Sequence, residues 1–232
     1  MSSQPPNPLP ALTNLVGFSE RNGCWFAEEI PLTQLAEQFG TPLYIYSKRA
    51  LETAFAAYER ACFTLQGKRR ASIFFAVKAN SNLAVMNCFK ELGAGFDLVS
   101  GGELDRALTI GAKPSSLVFA GVGKSATEIR QALTAGVKCL NVESIAELEQ
   151  INRIARELSC RAPISLRVNP DVDALTHPYI STGLKDNKFG IAYHEVLKTY
   201  REAALLAQLD IVGIDCHIGS QITATAPYLD AI

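Results

Sequence analysis

Histidine is scarce in this chain. His177, His194 and His217 are the only three among 232 residues, and no two stand close enough to suggest a local metal motif. Six cysteines, at 24, 62, 88, 139, 160 and 216, form no C-x-x-C pair; that spacing suits neither a zinc site nor a disulfide framework and fits reduced thiols of a cytoplasmic protein. No run of 18 apolar residues is present, so no membrane span is expected. The start, "MSSQPPNPLPALTN", lacks the basic and apolar segments of a signal peptide. Charge of one sign is also missing: 22 Lys and Arg against 23 Asp and Glu leave a net charge of −1, and no basic stretch alternates with aromatics, so nucleic acid is not expected as a partner. Several catalytic signatures fail as well. "GVGKS" is no phosphate loop, because the glycine needed five residues before Gly123 is replaced by Val118. "GAGFDL" lacks the third glycine of a dinucleotide fingerprint, and no G-x-S-x-G elbow exists.

What the chain does have is a repeat. After a helix in "LTQLAEQFGTP", with Thr33 as its expected cap, a strand is predicted at 43–47 and an amphipathic helix over 48–66. Apolar strands then follow at 73–77, 96–99, 117–120, 139–142, 164–168 and 211–216. Helical patterns fill the gaps, two of them opened by capping boxes at Ser125/Glu128 and Ser144/Glu147. Continuous apolar strands alternating with helices imply a parallel sheet covered by helices. The first five strands start 21 to 25 residues apart, which favours a (β/α)8 barrel over a doubly wound sheet. The last gap is longer and carries an insertion, "NPDVDALTHPYISTGLKDNKFGIAYH". Six βα units are visible where a barrel has eight, so the chain reads as the front part of a longer protein, with an extension at 1–42 and an incomplete barrel at 43–232.

Catalytic groups of such barrels project from the C-terminal ends of the strands. Here those ends offer Lys78 and Asn80, then Asp97 with Glu103, then Arg167 and Asn169, and finally "CHIGSQ" with His217, Gly219 and Ser220. Asp97 and Arg167 lie inside apolar strands and need partners; an ion pair between them would satisfy both. A strand-end lysine near a histidine, an arginine and carboxylates has one economical use, a Schiff base with a carbonyl compound, of which pyridoxal phosphate is the commonest. Gly219 and Ser220 are then candidates for its phosphate.

"FAVKAN", "GFDLVSGGEL", "LRVNPD", "THPYISTGLKDNKFGI" and "CHIGSQI", in this order, resemble the diaminopimelate decarboxylases, a branch of the alanine-racemase-like, fold type III pyridoxal-phosphate enzymes. The resemblance implies that Lys78 carries the cofactor, that His217 stacks on its ring, and that Ser220 helps hold its phosphate. Asp97, Glu103 and Arg167 would line the lysine side. It implies loss of CO2 from the D-centre of meso-diaminopimelate to give L-lysine, a small-molecule amino-acid substrate, and a homodimer at full length. It also implies a second β-domain, a further phosphate loop and a partner-donated cysteine beyond this sequence, so these residues are not expected to decarboxylate alone. A decarboxylase or racemase of another amino acid and a non-enzymic pyridoxal-phosphate-binding homologue stay open as alternatives.

Overall fold

The computed structural model describes residues 15–64, 66–170, 172, 189–220 and 222–232. The "THPYISTG" part of the insertion and Gln221 lie outside the described residues. The chain divides into two compact units, Met1–Ile73 with Asn87–Ala94, and Phe74–Met86 with Gly95–Ile232.

The first unit opens with three short antiparallel strands, β1 (Phe18–Arg21), β2 (Cys24–Ala27) and β3 (Ile30–Pro31). None was expected from the sequence. The signal was there: Asn22 and Gly23 take φ of 51° and 78°, the two positive values that a tight hairpin turn demands and that an Asn-Gly pair supplies. Helix α1 (Leu32–Phe39) follows directly from β3, so its N-cap is Pro31 and Thr33 makes no cap. Helix α2 (Lys48–Ala61) begins at Ser47, whose hydroxyl accepts from the Ala50 amide at 3.0 Å, and it stops short of the expected residue 66. Gly17, at φ 83°, lies so close that a Cβ there would stand 1.8 Å from Ser47 Oγ. The strand predicted at 43–47 does not form. Its aromatics are exposed and no described strand lies beside it to accept a ladder, so strand propensity had nothing to act on.

In the second unit the predicted strands are all present. They are β4 (Phe74–Ala76), β5 (Gly95–Leu98), β6 (Leu117–Phe119), β7 (Cys139–Val142), β8 (Ala162–Asn169) and β10 (Leu209–Cys216), with a two-residue β9 (Ile191–Ala192) against the end of β8. The connecting helices are α3 (Leu83–Glu91), which from Asn87 on is counted with the first unit, then α4 (Gly101–Thr109), α5 (Ala126–Ala135), α6 (Ile145–Glu157) and α7 (Val196–Ala204), with α8 (Ala226–Ala231) last. All neighbours in the main sheet pair in parallel, in the order β4-β5-β6-β7-β8-β10. Sequence order without a reversal point is the winding of a barrel, where a doubly wound sheet would turn back on itself. The chain thus forms an incomplete (β/α)8 arc, as the spacing implied.

Strand residues alternate between two faces. Phe96, Leu98, Leu117, Phe119, Leu140, Val142, Ile164 and Leu166 form one set, all wholly buried. The intervening positions are polar to an unusual degree: Asp97, Asn141, Ser165, Arg167 and Asp215. Barrel interiors are ordinarily filled by branched apolar side chains. Here the interior face is built of charges and hydrogen-bonding groups, and it is there that a site has to be sought.

Candidate active site

A cavity of about 470 Å³ opens on that polar face. Lys78 reaches it from a single 3₁₀ turn (Val77–Ala79) that follows β4. Asp97 comes from β5, Arg167 from β8, Asp215 from β10, and His217 and Ser220 from the segment after β10. Ala120, Gly121 and Val122, in the turn after β6, form another wall. Five of the nine residues picked from the sequence therefore meet in one place. The other four do not line it. Asn80 uses its side chain on the Asn82 amide at 3.0 Å, and Glu103 accepts from Val99 N at 2.8 Å, fixing the end of β5 to α4. Asn169 is buried at the end of β8, and Gly219 borders a neighbouring cavity at a φ of 153°.

The electrostatics are those of a desolvated site. Burial pushes the Asp97 carboxyl up to about 6, against the opposing pull of Lys78, and Asp215 and Glu103 add to the rise. Asp97 Oδ1 is buried with no hydrogen-bond partner among the described residues. Burial also raises Asp215, with Arg167 opposing. His217 is driven down to about 4 by burial, with Lys78 and Arg167 adding to the effect, so its imidazole is neutral at pH 7. The ion pair between Arg167 and Asp97 that the sequence allowed does not form. Arg167 Nη1 donates to Glu143 Oε1 at 2.6 Å, both side chains being buried, and its guanidinium lies 5.6 Å from the centre of the Phe189 ring. Glu143 sits just past β7 on the strand next to β8, whereas Asp97 is three strands away, so the nearer carboxylate takes the arginine.

Asp215, Glu143 and Phe189 were missed from the sequence. The reasoning that marked Asp97, a carboxylate within an apolar strand, applies unchanged to Asp215 in "IVGIDC". Glu143, one residue beyond its strand, carries no such mark. Among the described residues no cluster of three or more potential ligands could hold a metal ion, and no helix is long and apolar enough to cross a membrane.

A model of the family described as "Pyridoxal-dependent decarboxylase, pyridoxal binding domain" matches residues 32–232. The chain belongs to this family. Such a domain takes pyridoxal phosphate, and the cavity fits it: an amine at the mouth, a neutral flat imidazole, an unpartnered buried carboxylate oxygen and a roomy polar interior. Among curated decarboxylases, the diaminopimelate decarboxylase of Vibrio cholerae is 54% identical over 212 residues, 91% of this chain and 50% of that protein. That of Pseudomonas aeruginosa is 55% identical over 215 residues, 93% of this chain and 51% of its own length. The crystal structure of diaminopimelate decarboxylase from Helicobacter pylori complexed with L-lysine superposes with a TM-score of 0.81 at 45% identity, covering 86% of this chain and 50% of that one. The chain thus spans about half the length of the curated relatives it matches.

Proposed function

We propose that this chain forms the pyridoxal-phosphate-binding part of a decarboxylase that converts meso-2,6-diaminopimelate to L-lysine and CO2. The observation that carries the reading is Lys78, placed at the end of the first parallel strand and opening on a cavity walled by Asp97, Arg167, Asp215 and a neutral His217. Similarity to diaminopimelate decarboxylases at 54–55% identity supports the choice of substrate. Two copies would assemble in the cytoplasm at the relatives' full length.

When bound, pyridoxal phosphate supplies an electron sink for the pair left behind as a carboxylate departs as CO2. The chain's own groups then have distinct tasks. Lys78 offers the amine that holds the cofactor's carbonyl carbon, and it retakes that position when product leaves. His217 offers a flat ring for stacking without adding charge. Ser220 would donate its hydroxyl to the phosphate, and Gly219 beside it would let the backbone approach that group. Asp97 and Arg167 line the lysine side and set how readily protons are held there, while a proton replaces CO2 at the same carbon.

Incubation with pyridoxal phosphate, borohydride reduction and peptide mapping is expected to place a single label on Lys78. Label scattered over exposed lysines, or none on folded protein, would overturn the reading. The substrate is tested by joining this chain to the second half of the Pseudomonas aeruginosa relative. CO2 release is expected from meso-diaminopimelate; release only from L-ornithine or L-arginine would assign another branch.

A further inference from the structure

The rejected phosphate-loop lookalike "GVGKS" carries a lysine that is turned inward. The Lys124 side chain is only 1% exposed, and its Nζ donates to Gly121 O at 2.8 Å, Asn141 O at 2.6 Å and Glu147 Oε1 at 2.8 Å. Glu147 does not close the capping box its sequence suggested. Ser144 accepts from the Glu147 amide, but the Glu147 carboxylate turns to Lys124 and accepts also from the Glu143 amide at 3.3 Å. Glu143 in turn holds Arg167. A continuous buried chain, Lys124–Glu147–Glu143–Arg167, therefore runs from the cavity wall at Gly121 to the guanidinium inside the cavity.

We propose that Glu143 is a positioning residue for Arg167, seated by Glu147 and Lys124, and that its charge sets the field in which the Lys78 amine reacts. The guanidinium is fixed by Glu143 on one side and by the Phe189 ring on another, and Arg167 stands in register with Asp215 on β10. Stability alone does not call for this arrangement, since buried ion pairs often contribute no more than an apolar pair of equal volume. Glu143 Oε2 is moreover buried without a partner, a cost that an apolar replacement would avoid. The charged and titratable groups around the Lys78 cavity among the described residues are Asp97 from β5, Arg167 from β8, and Asp215, Cys216 and His217 from β10 and its end, with Glu103 of α4 acting on Asp97. Removing the negative charge of Glu143 leaves Arg167 less compensated. The field at Lys78 becomes more positive and its neutral amine is favoured. The inference rests on the proposed function only in taking Lys78 as the reacting amine.

The test uses the cofactor-free chain. The rate of Lys78 acetylation by acetic anhydride is followed against pH by mass spectrometry, and the melting temperature is recorded beside it. Glu143→Gln is expected to lower the labelling midpoint by about half a pH unit or more. Glu143→Asp, which keeps the charge, is expected to restore most of it. The double variant Glu143→Met/Arg167→Met removes both members, and because Arg167 shares the cavity with Lys78 its midpoint is expected to rise. A parental midpoint in folded Glu143→Gln protein overturns the proposal whatever the melting temperature does, because a purely structural role moves only the latter. If Glu143→Gln does not fold, the double variant is read against Arg167→Met alone: a lower midpoint in the double variant supports the proposal, and equal midpoints overturn it. A midpoint shift without a pyridoxal-phosphate label on Lys78 would sink the functional reading and leave standing only the electrostatic coupling of Glu143 to the Lys78 amine.

Discussion

Asp97 is a half-buried acid whose Oδ1 is wholly out of water's reach. Its folded-state pKa of about 6 stands above the usual 3.8, so the folded chain keeps the proton over a range where the unfolded chain has lost it. Stability from the protonated form is full below the unfolded pKa and is lost as pH rises through about 6. Asn mimics the protonated carboxyl. Asp97→Asn is therefore expected to raise the unfolding free energy at pH 8 by up to about 3 kcal/mol, with no gain at pH 3.5, as read from urea titrations. Equal gains at both pH values would show that the carboxyl is not desolvated. His217 has the opposite sign: its depressed pKa gives stability that is present above about 6.5 and lost as pH falls through about 4. At this scale the sequence was legible where a charge interrupts an apolar strand, as at Asp97 and Arg167. It was silent on which carboxylate meets the arginine, because that depends on which strands are neighbours.

The elements were legible where a period or a cap was strong. All six parallel strands of the main sheet fall within two residues of expectation, and the Ser125/Glu128 capping box forms in full. Ser144/Glu147 forms only half of one, because Lys124 competes for the carboxylate and a buried ammonium cannot be left without it. Burial even raises the Glu147 pKa in spite of that attraction. This pair ties the turn after β6 to α6. Lys124→Met should destabilise by about 3–5 kcal/mol by stranding Glu147, while Lys124→Met/Glu147→Met should recover most of the loss in the same denaturation measurement. Additive losses would mean that the two side chains act separately. The missed hairpin of β1 and β2 shows the reverse case, a local Asn-Gly signal overlooked because the flanking strands are only four residues each.

For the parallel sheet as a whole, the polar interior was not legible. Alternation says that two faces differ, and only closure toward a barrel says that the charged one faces inward. The sheet's last strand in sequence is also its most exposed. Ile211, Val212 and Ile214 of β10 are 39%, 54% and 66% exposed, and no described strand pairs with its far edge. Exposed apolar edge strands are sticky. Ile214→Lys, on the face opposite Asp215, is expected to reduce light scattering of concentrated solutions with little change in unfolding midpoint; unchanged scattering would place the adhesive surface elsewhere.

The winding of that sheet also bears on how the molecule is made. Each main strand lies beside the previous main strand in sequence, so nearly every pairing closes a loop of only one βα unit. Closure entropy grows slowly with loop length and short-range contacts form first. A ribosome delivers these units one at a time, at about 5–20 residues per second. Each new strand thus finds its neighbour already waiting, and the arc can grow stepwise during synthesis without any strand having to be inserted between two others.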